Sequence, residues 1–126
     1  MKRWFIGLAA VAIAIGGFTL AYRGPGRALV RGHLGDVAAT MLVYALLGLV
    51  VRARPAVRAA VTFAIALAIE TGQLVWHAHS TAGALTIGST FDWRDVLAYA
   101  IGVAIAIACE LCSAHATARP ARADRL

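Results

Sequence analysis

Gly88-Ser89-Thr90-Phe91-Asp92-Trp93-Arg94-Asp95 runs without a break into the apolar stretch Val96 to Cys112. The first part is the densest group of charges in the chain, and the second has the length and composition of a membrane helix. Such a junction reads as a helix start, with Asp92 able to cap it and Asp95 near its positive end. An earlier apolar run, Val57 to Trp76, holds Glu70 and Gln73. A carboxylate inside such a run is costly unless it is paired, protonated or wetted. The two stretches are therefore read together as one polar site.

The composition supports a membrane protein. With 61% hydrophobic residues, 14% charged residues and a mean hydropathy of +0.77, the chain lies far outside ordinary soluble composition. A net charge of +6 could suggest nucleic acid, but the cations stand singly at the flanks of apolar segments instead of forming a stripe. That is the topogenic pattern, and no nucleic-acid partner is expected.

In chain order, Lys2 and Arg3 precede an apolar run from Trp4 to Tyr22, the first membrane helix. Thr19-Leu20-Ala21 loosely resembles a signal-peptidase site, but the run is longer than a signal peptide's apolar region and is read as retained. Tyr22-Arg23-Gly24-Pro25-Gly26-Arg27 has turn composition, and the loop is expected to continue through Arg31-Gly32-His33-Leu34-Gly35. A second helix, 36–51, then starts at Asp36 as its N-cap; it is short for a spanning segment. Arg52-Ala53-Arg54-Pro55 ends it, because proline disfavours helix in the residue before it. A third helix covers 56–76, a mixed loop follows, and a fourth covers 92–112. The fold expected is an all-α integral membrane four-helix bundle, one domain over 1–114, with a short basic cytoplasmic tail over 115–126.

Sorted by loop, Lys2, Arg3, Arg52, Arg54, Arg58, Arg119, Arg122 and Arg125 fall on one side, and Arg23, Arg27, Arg31 and Arg94 on the other. The richer side is expected to be cytoplasmic, which puts both termini inside. Arg31, His33, Asp36, Glu70, Gln73, Asp92 and Asp95 then gather at the outer end. Glu70, Gln73 and His77 share one helical stripe, as do Asp95, Tyr99 and Gly102, and Asp36, Thr40 and Tyr44. The candidate ligand-binding residues are Glu70, Gln73, Asp92, Asp95, Arg31, Asp36 and Tyr99.

Each feature has a plainer reading. Asp36 and Asp92 can be caps alone, and Glu70 a hydrogen-bonded lock between two helices. Arg94 can reach the headgroups or neutralise the aspartates. Tyr44 and Tyr99 can be packing aromatics, and Trp4, Trp76 and Trp93 interface anchors. Glu110 lies near the inner end and is read as reaching the interface. His33, His77 and His79 lack the spacing of a metal set, so no metal and no cofactor is assigned. Cys109 and Cys112 are read as packing residues. No nucleophile elbow, phosphate-binding loop or zinc-protease motif is present, which excludes the familiar soluble-type enzymes.

Arg31-Gly32-His33-Leu34-Gly35-Asp36, Glu70-Thr71-Gly72-Gln73-Leu74, and Gly88-Ser89-Thr90-Phe91-Asp92 through Asp95, Tyr99 and Gly102 resemble a family of small bacterial membrane proteins, domain of unknown function 2809 (DUF2809). The latter two pieces also resemble, more distantly, the VanZ-like membrane proteins, in which a Glu-x-x-Gln pair precedes an Asp-rich helix start. The usual asparagine after the second aspartate is replaced here by Ala98 or Tyr99. VanZ is associated with low-level teicoplanin resistance. The VanZ resemblance implies a bacterial inner-membrane protein whose Glu70, Gln73, Asp92 and Asp95 face the envelope side and touch a surface lipid or lipid-linked precursor.

The function expected is an outward acidic pocket for a polar or cationic headgroup, more binding protein than enzyme, with the bilayer as its partner. Two alternatives stay open: an enzyme acting on a lipid-linked envelope substrate, with two carboxylates dividing acid and base roles, and a small proton-coupled carrier, which with four short helices would need several copies in a homo-oligomer.

Overall fold

The lipid phase leaves a spanning backbone no water to bond, so each apolar run must close its own hydrogen bonds as a helix. In the computed structural model, which describes residues 2–78 and 93–118, everything described is helical except the links 22–26 and 51–54. Helix α1 is Lys2–Ala21, α2 is Arg27–Val50, α3 is Pro55–Ala78 and α4 is Trp93–Ala118. All four are long and apolar enough to cross a membrane, the qualifying part of α3 being Pro55–Gln73. The chain is an all-α, multi-pass membrane protein.

Helix α2 differs most from expectation. It starts at Arg27, continues through a π-helical turn at Val30–Leu34, and runs to Val50. The glycine-rich stretch before Asp36 is thus helix and not loop, and Asp36 sits inside α2 instead of capping it. The physical reason is length. A helix begun at Asp36 would rise only about 24 Å, short of a hydrocarbon core of about 30 Å, whereas starting at Arg27 gives about 36 Å. Helical hydrogen bonds through Gly32 and Gly35 are the cheapest way to satisfy that backbone in lipid. The turn is confined to 22–26, where Gly26 takes the left-handed conformation, φ 71°, that glycine adopts without strain.

The other boundaries have local causes. Pro55 opens α3 at the position where its missing N–H costs nothing. Val51, with φ −113° and ψ 125°, ends α2 in extended backbone. Helix α4 runs on to Ala118, beyond the expected end at Cys112, and the remainder of the tail lies outside the described residues.

Helix α2 is the hub: it packs against the other three, and α4 also packs on α3. The core joins Phe5, Leu8 and Ala12 of α1, Met41, Tyr44 and Ala45 of α2, and Ala106 of α4. Gly102 lets α2 and α4 touch, because a Cβ there would lie 2.9 Å from the Val37 carbonyl oxygen and 3.0 Å from Thr40 Cβ. Large apolar side chains cover the outside, with Leu20 72% and Val50 82% exposed; such a surface suits lipid, not water.

Two polar contacts set α3 against α4. Arg58 meets Glu110 and Glu70 meets Tyr99, so positions that rise along α3 descend along α4. The helices are antiparallel, and the two contacts are roughly 17 Å apart along the bundle.

Candidate functional site

The first polar layer lies toward the end of the bundle where α1 finishes and α2 and α4 begin. Glu70 is half-buried about 12 Å from the end of α3. Tyr99 Oη donates to Glu70 Oε2 at 2.9 Å, and Tyr99 is itself only 8% exposed. Asp36 of α2 lies within electrostatic range of Asp95 and Glu70 and of His33, one turn earlier. Three carboxylates from three helices thus share one layer, with Tyr99 bonded to one of them. Asp36 and Asp95 converge because each occupies the inward stripe of its helix: Asp36, Thr40 and Tyr44 on α2, and Asp95, Tyr99, Gly102, Ala106 and Glu110 on α4. Thr40 Oγ1 donates to the Asp36 carbonyl oxygen at 2.7 Å, keeping its hydroxyl satisfied within the helix.

His33 stands at the edge of this layer, on the π-helical turn, and both ring nitrogens are enclosed without a hydrogen-bond partner among the described residues. It also lines a cleft of about 480 Å³ between α2 and α4, otherwise walled mainly by apolar residues including Leu29, Leu34, Val37 and Ile101. Among the described residues, no group of three or more His, Cys, Asp or Glu side chains is arranged to hold a metal ion.

The remaining expected members are placed differently. Arg31 Nη2 donates to the Leu20 carbonyl oxygen at 2.8 Å, so its guanidinium closes the last turn of α1. Gln73 is exposed on α3. Asp92, His79 and the side chain of His77 lie outside the described residues. Cys109 and Cys112 are free and exposed.

A second polar layer, at the other end, is absent from the sequence-based site. Glu110 accepts from Arg58 Nη1 on both carboxylate oxygens, at 2.8 and 2.7 Å, and from Tyr44 Oη. Arg58 Nη2 donates to the Ala53 carbonyl oxygen at 2.8 Å, and the guanidinium lies over the rings of Phe5 at 4.7 Å and Tyr44 at 5.4 Å. Arg58, Glu110 and Tyr44 are all buried. From the sequence alone, Glu110 looks like a residue that reaches the interface and Arg58 like a topogenic flank. The signal that could have joined them is depth: each lies about one turn inside its apolar run, on the same side of the membrane, and opposite charges at one depth neutralise each other. Tyr44 belongs to the same inward stripe as Asp36, but eight residues along α2 carry it to this opposite layer.

A family model described as protein of unknown function (DUF2809) matches residues 26–103, more than half of the chain. The chain belongs to the DUF2809 family. The match to DUF2809 takes in α2, α3 and the first part of α4, and so all of Asp36, Glu70, Asp95 and Tyr99; it includes Arg58 and Tyr44 but stops before Glu110. No curated protein and no solved structure matched the chain.

Proposed function

We propose that this member of the DUF2809 family binds the polar or cationic headgroup of a lipid or lipid-linked envelope molecule on the layer formed by Asp36, Glu70, Asp95 and Tyr99. The observation that carries the reading is electrostatic. Three carboxylates from three helices lie within electrostatic range of one another, and no ion pair among the described residues reaches them. Acidic groups gathered on membrane helices indicate a functional site, and a cationic headgroup is a partner that suits them. An ammonium group could take Asp36 and Asp95 as acceptors while Tyr99 holds Glu70 in place. The excess of Lys and Arg beside the termini and the α2–α3 link supports an orientation with both termini in the cytoplasm. The layer then faces the envelope side of a bacterial inner membrane, which agrees with the distant VanZ resemblance.

The test is titration of the purified protein in neutral detergent with a short-chain phosphatidylethanolamine, whose headgroup carries an ammonium. Glu70→Gln and Asp36→Asn should each weaken binding about tenfold or more while the melting temperature is kept. Unchanged binding in both would remove the reading. Orientation is read separately by single cysteines at Pro25 and Ala56 in a chain lacking Cys109 and Cys112. An impermeant reagent should label only the first in intact cells.

One observation favours a second reading. Glu70 is hydrogen-bonded to Tyr99, whereas no side-chain hydrogen bond to Asp36 occurs among the described residues. Carboxylates in unlike environments can divide acid and base roles in an enzyme acting on a lipid-linked substrate. Conversion of such a lipid by the purified protein would favour this reading over simple binding.

A further inference from the structure

The opposite end of the bundle carries a cavity that the acidic layer does not use. It has a volume of about 750 Å³, within the range of small-molecule sites, and lies where α1 begins, α2 ends and α3 begins. Lys2, Arg52, Arg54, Arg58 and Glu110 are its charged residues. Arg58 and Glu110 neutralise each other, so four cations less one carboxylate leave three positive charges, on Lys2, Arg52 and Arg54. Those three are exposed, and none forms an ion pair among the described residues.

The interior of the cavity has a different character. Phe5, Leu49 and Leu111 supply apolar wall. The cations stand at the ends of apolar helices, the level at which lipid headgroups sit, and the apolar wall continues toward the hydrocarbon. Arg58, only 6% exposed, lines the same cavity, and its buried Nε has no hydrogen-bond partner among the described residues. A cationic rim over an apolar wall complements an amphiphile with a negative head.

We infer that this cavity is a binding site for the phosphate-bearing headgroup of an anionic membrane lipid. Lys2, Arg52 and Arg54 neutralise the phosphate, and Phe5, Leu49 and Leu111 contact the glycerol and the first acyl carbons. The Arg58–Glu110 pair holds the wall and keeps the carboxylate from repelling the anion. The inference does not depend on what the acidic layer binds.

The test follows the melting temperature of the full chain in neutral detergent during titration with short-chain phosphatidylglycerol, short-chain phosphatidylcholine or inorganic phosphate. Phosphatidylglycerol should stabilise the protein saturably, and the other two should not. Each cation near an anionic headgroup contributes about fivefold to affinity, so Arg52→Gln with Arg54→Gln should weaken binding about 25-fold. Both residues are exposed, and the lipid-free melting temperature should stay at the wild-type value. Removing equal charge at the other end, with Arg23→Gln and Arg27→Gln, should leave binding as it was. The inference is overturned if phosphatidylglycerol does not stabilise, or if phosphatidylcholine does so equally, which makes the site merely apolar. It is equally overturned if inorganic phosphate suffices, which makes it a free-phosphate site, or if the Arg23/Arg27 variant loses as much, which makes the attraction general.

Discussion

Arg58 and Glu110, 52 residues apart in sequence, form a buried ion pair in which one guanidinium nitrogen bonds both carboxylate oxygens. With Tyr44 this pair ties α2, α3 and α4 together at the end where α2 finishes and α3 begins, while Glu70 and Tyr99 tie α3 to α4 near the other end. The bundle is fastened at two depths by hydrogen-bonded carboxylates, with apolar packing between them.

Glu110→Gln should be strongly destabilising, because it leaves the Arg58 charge buried without a counter-charge. Loss of one member of such a pair costs about 3 kcal/mol or more. Adding Arg58→Met to Glu110→Gln should recover at least half of that loss, since the residual glutamine can still accept from Tyr44. A double-mutant cycle of unfolding in detergent measures it, and additive losses would show that the pair is not coupled.

Tyr44→Phe should cost less, about 1 kcal/mol, because Glu110 keeps both bonds from Arg58 and loses only one donor. The same unfolding measurement should rank it well below Glu110→Gln.

Gly102→Ala should push α4 away from α2, since the added methyl meets the Val37 backbone and Thr40. Overpacking of this kind costs about 1–3 kcal/mol. Gly16→Ala is the control, because a Cβ there meets nothing within 4 Å. It should leave stability unchanged or slightly higher, as alanine favours helix. Equal melting temperatures for the two variants would contradict the close α2–α4 approach.

Tyr99→Phe and Glu70→Gln should separate fold from binding at the acidic layer. An interhelical hydrogen bond in a membrane is worth about 0.6 kcal/mol on average, so Tyr99→Phe should lower stability only slightly. Glu70→Gln keeps an acceptor for Tyr99 while removing the charge, so it should melt like the parent. If the layer only locks helices together, neither variant will alter headgroup binding.

The helix count, the nature of the segments and most of the acidic layer were legible in the sequence. Four apolar runs separated by Arg, Gly and Pro follow from composition, and Glu70 inside such a run is conspicuous because membrane carboxylates are rare. The inward stripes of α2 and α4 follow from helical periodicity, which brought Asp36, Asp95 and Tyr99 to one layer. Asp36 looks like a cap in the sequence because Gly32 and Gly35 look like loop residues, and local propensity ignores what lipid demands of the backbone. The bond from Arg31 to the Leu20 carbonyl oxygen was not legible, because the turn between α1 and α2 brings together residues 11 apart in the chain.

By itself, then, the sequence determined that this chain has four helices able to cross a membrane and which carboxylates lie on their inward stripes, because burial in lipid is a property of composition and period. Which charges neutralise each other was decided only by the tertiary structure. The antiparallel register of α3 against α4 and the close passage of α2 at Gly102 bring Arg58, Glu110 and Tyr44 to one point, and leave Lys2, Arg52 and Arg54 around an open cavity. Pairing depends on distances between segments far apart in the chain, and helical periodicity fixes directions around one axis only.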